Sequence, residues 1–400
     1  MSSKTISVTA TTFNCGKALP FLDKDRLSQI LTSLLDPQSN PTEIIALGFQ
    51  EIVPIWQGSF PETLDTVYIP SLIQELKRVL YDKFPDDEYE PLGHGTVGAV
   101  FLVLLYRKTG RVVSTHNLEI CKCTRGFADS SLKGAVKISF ELQLRGETDW
   151  QLFHFVCCHL NANEGDSYFK ARIADCQAVR ALVEGTSSGN DDTSSNGYPS
   201  HVFILGDLNF RVTKSLALRL RRQPTSEELM DTLKWDELSA LLREKHSVFD
   251  GLKEEPITFP PTYKYKVNRL TNQQYGTLRI PSWCDRILYT DYSKIPSDVD
   301  VDVVARYIAV PRVESLVFTD HQPVMLLLDV PVLPFGRNGH NRDGSNGVSN
   351  GSGTVSSVTT QSELGVTADY VIGYMDWFMY KRYHLWLGLL VLLYILYKLF

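Results

Sequence analysis

The chain has few cysteines, no excess of basic charge and no leader-like beginning. Only seven of its 400 residues are cysteines, and no CxxC pair occurs, which excludes a zinc ribbon or a disulfide framework. The formal net charge is −6, whereas a dedicated nucleic-acid-binding protein normally carries a basic excess. The first residues contain no apolar core behind a basic stretch, so we expect no signal peptide. These absences predict a protein domain located in the cytosol, with its thiols reduced.

Long hydrophobic runs are also absent, with one exception at the end of the sequence. Hydrophobic residues make up 43% of the chain and charged residues 22%, an ordinary globular composition. Residues 385–397 are uncharged and almost entirely apolar, and the basic pair Lys381 and Arg382 precedes them. With its flanking residues this segment reaches about 16 residues, or roughly 24 Å of helix, against a hydrocarbon core near 30 Å.

We expect this segment to be a single-pass C-terminal membrane anchor. A buried core helix is the first alternative, but no domain follows the segment to cover it. An interfacial helix is the second, but it should show a polar face, which residues 385–397 lack. The basic pair predicts that the preceding domain is cytosolic, and the short span favours a thin membrane such as the endoplasmic reticulum.

Residues 1–333 carry alternating strand-like and helix-like patterns. Strands are predicted at 5–12, 44–49, 99–106, 112–119, 136–144, 152–158, 201–205, 286–289 and 324–330, and helices at 24–35, 64–84, 168–182 and 226–245. This order predicts the α/β class, with mixed sheets in a sandwich flanked by helices. Residues 334–368 are rich in Gly, Ser and Asn and are predicted to form a flexible linker, followed by the anchor segment 369–400.

Polar side chains recur where the predicted strands begin or end, which is where a sheet scaffold places a site. They are Asn14, Glu51, His159, Asn161, Asp207, Asn209, Asp285, Asp320 and His321. Each motif alone is also compatible with an ordinary role, such as a surface carboxylate, an Asx turn or a core histidine. Their repeated position at strand ends favours one shared site.

These residue types suit magnesium-dependent phosphoryl chemistry. Glu51 and Asn14 offer the hard oxygen ligands that Mg²⁺ prefers. Asp207 is a candidate base for an attacking water. His321, polarised by Asp285, would stabilise the phosphoryl group as a cation. His159 and the amides of Asn161 and Asn209 are candidates to complete the surroundings of the phosphate.

The segments that carry these residues resemble the inositol polyphosphate 5-phosphatases, members of the DNase I-like endonuclease/exonuclease/phosphatase superfamily. The matching segments are ALGFQEIV, SLKGAVKISF, CHLNAN, GDLNFRV, FPPTYKYK, RIPSWCDRIL and TDHQPV. The resemblance implies a four-layer sandwich of two mixed β-sheets flanked by helices. Together with the C-terminal segment, it indicates a fungal-type, tail-anchored enzyme that hydrolyses phosphatidylinositol 4,5-bisphosphate.

The resemblance also implies residue roles. Glu51, with Asn14 beside it, corresponds to the magnesium ligand, and Asp320 would lie near the metal. The remaining catalytic set is His159, Asp207, Asn209, Asp285 and His321, and the substrate-binding set is Tyr263, Lys264, Arg279, Lys133 and Arg286. The chain departs from the family pattern at Lys266 and Thr277, so recognition of the 4-phosphate is expected to be weaker or to use another base. It also departs at Asn161 and Asn163, but no departure touches the metal and water-activating residues.

Three other functions are weighed against this one. A nuclease would need a basic surface to bind the nucleic-acid backbone. The chain has one basic cluster, formed by Lys214, Arg219, Arg221 and Arg222, but its net charge is acidic, which disfavours a nuclease. A catalytically silent tether would need a broken catalytic set, whereas the set is complete. A sphingomyelinase fits less well, because the Tyr-Lys-Tyr segment suits a phosphorylated ring. We therefore expect a monomeric enzyme with a phosphoinositide substrate and no nucleic-acid partner.

Overall fold

The computed structural model describes most of the chain. The residues outside its description are 1–4, 61–63, 148, 186–199, 214–223, 245–246, 271–274, 277–278, 295–303, 334–355, 360 and 400. Thr277 and the basic cluster between Lys214 and Arg222 therefore lie outside the described residues.

Two β-sheets form the centre of the molecule. The first sheet contains, in spatial order, β11 (Ala305–Ala309), β12 (Val324–Pro331), β1 (Thr5–Asn14), β2 (Ile44–Gln50), β4 (Val100–Arg107) and β3 (Tyr89–Val97). The second contains β13 (Ser356–Thr359), β5 (Val112–Thr124), β6 (Gly134–Leu144), β7 (Trp150–His159), β8 (Ser200–Asp207), β10 (Asp285–Thr290) and β9 (Leu252–Lys253). The pairs β1–β2, β7–β8 and β13–β5 are parallel and the others antiparallel, so both sheets are mixed, as predicted.

Helices cover the outer faces of both sheets. In chain order they are α1 (Lys24–Leu35), α2 (Ile55–Gly58), α3 (Ile69–Lys83), α4 (Asp166–Glu184), α5 (Ser226–Met230), α6 (Glu237–Arg243), α7 (Glu363–Tyr380) and α8 (Tyr383–Leu399). The apolar sides of α1 and α3 pack on the first sheet, and those of α4 and α6 pack on the second. A third apolar cluster fills the space between the sheets. The predicted DNase I-like sandwich, with helices outside two mixed sheets, is confirmed.

The predicted helix at 226–245 is divided in the structure. Helix α5 ends at Met230, a 3₁₀ turn spans Asp231–Trp235, and α6 begins at Glu237. Asp236 causes the division, because its backbone is extended and its side chain accepts a hydrogen bond from the Ser239 amide. An aspartate in that position starts a new helix.

Two regular elements begin within the segment that is predicted as a linker. Strand β13 pairs with β5 and lies entirely within residues 334–368, whereas α7 begins within them, at Glu363, and continues beyond them. Helix α8 occupies the apolar segment that was predicted as the anchor. Within the described part of the chain, no helix combines the length and apolar character needed to cross a membrane.

Candidate active site

The registers of the strands bring the predicted residues to one edge of the sandwich. On the second sheet, His159 pairs with Asp207 across β7 and β8, and Asp207 pairs with Asp285 across β8 and β10. On the first sheet, Asn14 ends β1 beside the end of β2, which Glu51 follows. These residues, distant in sequence, therefore lie side by side because adjacent strands end at the same level.

Asp207 lies at the centre of this edge and is almost completely buried. The amide of Asn14 on the opposite sheet donates a 2.8 Å hydrogen bond to its Oδ2. The Nε2 atoms of His159 and His321 lie 3.4 Å and 3.8 Å from the same oxygen. Burial raises the pKa of Asp207, and the nearby Asp285 adds to this effect. Asp207 is thus a carboxylate with an increased affinity for a proton.

His321 and Asp285 form the pair that the sequence predicts. His321 Nδ1 lies 2.9 Å from Asp285 Oδ2, and Thr262 donates a 2.7 Å hydrogen bond to that same oxygen. Burial opposes a charge on His321, but Asp285 and Asp207 outweigh it and raise the pKa of the imidazole to about 9. His321 is therefore a cation at neutral pH.

His159 has the opposite electrostatic character. Burial and the neighbouring Lys133 lower the pKa of its imidazole well below the usual value, so the ring is neutral. Its Nε2 contacts the ammonium of Lys133. Burial in turn lowers the pKa of Lys133 to about 8, against the opposing charges of Asp207 and Glu51. The two histidines of the site thus differ in charge because His321 pairs with Asp285, whereas His159 faces the ammonium of Lys133.

Glu51 and Asn14, the predicted metal ligands, lie at the same edge. Glu51 adopts a left-handed φ of 48°, and its carboxylate oxygens stand 3.9 Å from His159 Nε2 and 4.0 Å from Lys17 Nζ. Asn14 Oδ1 accepts a 3.0 Å hydrogen bond from the Gly16 amide. Among the described residues no group of three or more His, Cys, Asp or Glu side chains is arranged to enclose a metal. One carboxylate and one amide oxygen fit Mg²⁺, which usually retains several waters.

These side chains surround one open cavity of about 420 Å³. Besides the residues above, its lining includes Asn209, Tyr263, Lys264, Asp320 and Arg211. Asn209 donates to the Leu160 carbonyl at 3.0 Å, which fixes its side chain. Lys264 Nζ pairs with Asp320 Oδ2 at 2.7 Å, and the ring of Tyr263 lies 4.6 Å from that of His321. Asp320, which was predicted to lie near the metal, thus lines the cavity with one carboxylate oxygen paired to Lys264.

Arg211 belongs to the cavity although no sequence pattern assigned it a role. Its guanidinium carbon lies 4.8 Å from the centre of the Tyr263 ring, and one nitrogen donates to Asn209 Oδ1. The guanidinium is buried, yet Nε and Nη1 have no hydrogen-bond partner among the described residues. Such an arginine is suited to bind an anion. The sequence feature that could have identified Arg211 is its position in GDLNFRV, shortly after the predicted site residues Asp207 and Asn209.

The structure gives Arg286 a different role from the predicted substrate contact. Arg286 is completely buried and forms ion pairs with Asp236 at 2.8 Å and Glu254 at 2.5 Å. The reason is strand geometry, because successive side chains point to opposite faces and Asp285 already faces His321. Arg286 therefore links β10 to the segments that carry Asp236 and Glu254, on the face of the strand opposite to Asp285.

Two further predicted residues lie beside the cavity without lining it. Arg279 donates a 2.9 Å hydrogen bond to Asn163 Oδ1 and is absent from the described lining. Asn161 donates to Asp175 through both its backbone and its side-chain amide. Asn161 thus stabilises the start of the chain after β7, and it does not complete the surroundings of a phosphate.

The fold and this cluster define a class of protein: a DNase I-like sandwich with carboxylates, imidazoles and cations gathered at one edge. The model of endonuclease/exonuclease/phosphatase family 2 matches residues 11–327. The chain belongs to this family.

Curated relatives match the same region. Human phosphatidylinositol 3,4,5-trisphosphate 5-phosphatase 2 is 28% identical over 302 residues, which cover 73% of this chain and 21% of that protein. Type I inositol polyphosphate 5-phosphatase 2 of Arabidopsis thaliana is 33% identical over 218 residues, which cover 51% of this chain and 29% of that protein. The chain thus spans less than a third of the length of these relatives.

Solved structures share the fold. The inositol polyphosphate 5-phosphatase domain of spsynaptojanin, solved with inositol (1,4)-bisphosphate and calcium, has a TM-score of 0.59 and 20% identity, and the match covers 94% of this chain and 91% of that one. The Cimex nitrophorin ferrous NO complex has a TM-score of 0.53 and 20% identity, with 82% and 99% covered. Proteins with such different ligands show that function must be argued from the site.

Proposed function

We propose that this protein hydrolyses the 5-phosphate of phosphatidylinositol 4,5-bisphosphate, with magnesium, and leaves phosphatidylinositol 4-phosphate. The observation that carries the proposal is the buried Asp207, which lies within 4 Å of both His159 and His321 in a cavity lined by cations. The names of the relatives, which are 5-phosphatases of inositol lipids or inositol phosphates, support the same chemistry.

Asp207 accepts the proton of the attacking water in this mechanism. The Asn14 amide holds the carboxylate in place, and burial increases its affinity for the proton. His321 remains cationic beside it and stabilises negative charge on the phosphoryl oxygens. Lys133 and Arg211, on other walls of the cavity, bind the same group as donors.

Glu51 and Asn14 would hold the magnesium ion. When bound, the ion supplies polarisation of a phosphoryl oxygen and neutralises charge that develops in the transition state. The left-handed backbone of Glu51 directs its carboxylate to the cavity, where the ammonium of Lys17 stands 4.0 Å away and the neutral His159 ring 3.9 Å away.

Recognition of the neighbouring 4-phosphate is assigned to Tyr263 and Lys264. Lys264 pairs with Asp320 at 2.7 Å, and burial opposes its charge, but Asp320 outweighs burial and raises the pKa of Lys264. Lys264 is therefore charged and available to exchange one anionic partner for another. Arg279 lies behind Asn163 and would reach a ligand only by leaving that contact.

A membrane location completes the proposal. We place the enzyme on the endoplasmic reticulum membrane, anchored by the C-terminal segment, with the catalytic domain in the cytosol. The uncharged residues 385–397 and the preceding Lys381 and Arg382 support this arrangement. An enzyme at a membrane meets lipid head groups at a high effective concentration.

The test is phosphate release by the full chain from lipids phosphorylated at the 4,5, the 4 and the 3,4,5 positions, with and without Mg²⁺. We expect release from the 4,5-bisphosphate and none from the 4-phosphate. Asp207→Asn should abolish the release, whereas Asp231→Asn, an exposed carboxylate paired with Lys234, should leave it intact. Release of the 4-phosphate, or full activity of Asp207→Asn, would overturn the proposal.

A further inference from the structure

Helix α7 turns a polar, small-residue side toward the sandwich and an apolar side outward, which is the reverse of an ordinary surface helix. The side that faces the sandwich contains Gly365, Asp369 and Gly373, which are buried. The outward side carries exposed large apolar residues, namely Leu364, Val366, Val371, Met375, Phe378 and Met379, and the partly exposed Tyr370 and Tyr374 lie at its edge. A surface helix in water normally buries its apolar stripe and exposes its polar one. The outer face of α7 is therefore suited to an apolar environment.

Two carboxylates attach α7 to the catalytic domain. Asp369 accepts hydrogen bonds from the backbone amide of Ser131 at 2.8 Å and from the Gln361 side chain at 2.6 Å. Asp376 accepts a 3.0 Å hydrogen bond from the backbone amide of Trp56. Because Ser131 and Trp56 offer main-chain groups of the domain, these contacts fix the position and rotation of the helix.

Close packing supports the same arrangement. A Cβ atom at Gly365 would stand 2.2 Å from the Asp129 carbonyl oxygen, and one at Gly373 would stand 2.9 Å from Phe60. The ring of Phe60 also contacts those of Tyr370 and Tyr374, at centroid distances of 5.9 Å and 5.2 Å. The glycines thus permit the helix to approach the domain, and Phe60 packs against the edge of the helix that carries the two tyrosines.

The attachment points of α7 adjoin the active site. A second cavity, of about 180 Å³, shares Glu51, Lys133 and His159 with the catalytic cavity. Its lining continues through apolar residues to Gly58 and Ser131, on the two segments that α7 contacts. Ser131 is two residues from Lys133, so the helix is fixed to the loop that supplies a cation to the site.

We propose that the outer face of α7 lies on a lipid bilayer and holds the catalytic cavity at a fixed orientation to it. The face is continuous with the exposed apolar helix α8, and exposed Lys381 and Arg382 at their junction suit anionic head groups. Its tyrosines suit the membrane interface, where one end of the ring is apolar and the other is wet. The orienting role in catalysis rests on the proposed function, because it requires a lipid substrate. The contact between α7 and the bilayer does not depend on that function.

A fluorophore on the helix tests the contact directly. All seven native cysteines are buried, so an exposed cysteine introduced by Val371→Cys can be labelled selectively with an environment-sensitive dye. Val113→Cys, on the second sheet, is the matched control, because Val371 and Val113 are 53% and 56% exposed. With phosphatidylcholine and phosphatidylserine vesicles, the emission at position 371 should shift to the blue and increase, and that at 113 should not.

Two results of this experiment would overturn the inference. In the first, the chain binds vesicles while the dye at 371 stays in water, as expected if α8 is only a tether. In the second, the emission changes with protein concentration in the absence of vesicles, which would make a second copy of the chain the occupant of the face.

Kinetics test the consequence. Val371→Asp with Met375→Asp should lower phosphate release from vesicles that contain phosphatidylinositol 4,5-bisphosphate at least about tenfold, and should leave release from soluble inositol 1,4,5-trisphosphate unchanged. Val113→Asp should change neither rate. Equal losses on both substrates, or no loss on vesicles, would contradict the orienting role. If the unmodified chain hydrolyses neither substrate, the proposed function fails while the dye experiment still decides the bilayer contact.

Discussion

Three aspartates lie in or beside the catalytic cavity, and each has different neighbours. Asn14 donates a neutral hydrogen bond to Asp207, whose pKa is raised by burial. Asp285 lies against the imidazole of His321. Burial also opposes the charge of Asp320, but His321 and Lys264 outweigh it and lower the pKa of Asp320. In the proposed mechanism, one residue type therefore provides a base, an orienting partner for a histidine and a partner for the lysine assigned to the substrate.

The charge of His321 leads to a prediction about pH. The raised pKa of about 9 depends on Asp285, so Asp285→Asn should lower it by about 1 to 3 units. The alkaline limb of kcat/KM should then move to lower pH, because the cation is lost earlier as pH rises. Rates between pH 5.5 and 9.5 measure the limb, and histidine NMR titration measures the pKa independently of activity. An unchanged His321 titration in Asp285→Asn would contradict the assignment.

Arg211 provides a second prediction at this scale. Arg211→Met keeps much of the stem but removes the buried donors Nε and Nη1, so kcat/KM should fall about 100- to 1,000-fold. Arg211→Lys should restore only part of the loss, because a lysine lacks the fork that binds two phosphoryl oxygens. Arg306→Met, at an exposed arginine that donates to the Pro37 carbonyl, is the control. Wild-type kinetics in Arg211→Met would exclude the anion-binding role.

Among the elements, the strands of the second sheet determine which residues meet. The parallel pairing of β7 with β8 and the antiparallel pairing of β8 with β10 place His159, Asp207 and Asp285 in one row. Gly206, next to Asp207, has a φ of +151°, and a Cβ atom there would lie 2.1 Å from the Cys158 carbonyl oxygen. The row therefore requires a glycine where β8 passes the Cys158 backbone of β7.

Gly206→Ala should separate β8 from β7 and displace Asp207. We expect a loss of unfolding free energy of about 2 to 4 kcal/mol, since the backbone must shift as well as accept an unfavourable φ. Gly146→Ala is a matched control, because Gly146 also has a positive φ but a Cβ atom added there would meet no other atom within 4 Å. Urea unfolding and kcat measure the two effects. Similar losses in both variants would mean that the close contact with Cys158 has no part in the site.

For the whole molecule, hydrophobic periodicity and strand-end polar residues were sufficient to predict the sandwich and the edge that carries the site. They did not show that the position of Arg286 on β10 turns its side chain away from the cavity, and they missed Arg211, which lines the cavity from beyond the end of β8. Helix α7 was also missed, because its docking face consists of glycines and the two carboxylates Asp369 and Asp376. Hydrophobic periodicity detects an apolar face directed to a core, and here the apolar face is directed outward.

Two histidines of the second sheet, His201 on β8 and His154 on β7, predict how stability depends on pH. Burial lowers the pKa of His201 to about 3 and that of His154 to about 4, so both are neutral in the folded protein at pH 5. The unfolded chain binds these protons below a pH of about 6.5, so acidification favours unfolding. Each histidine should contribute a slope of up to about 1.4 kcal/mol per pH unit between its unfolded and folded pKa values. Urea unfolding between pH 7 and pH 5 measures the slope. His201→Gln should reduce it, whereas His116→Gln, at an exposed position, should not, and equal slopes in all three proteins would contradict this origin of acid sensitivity.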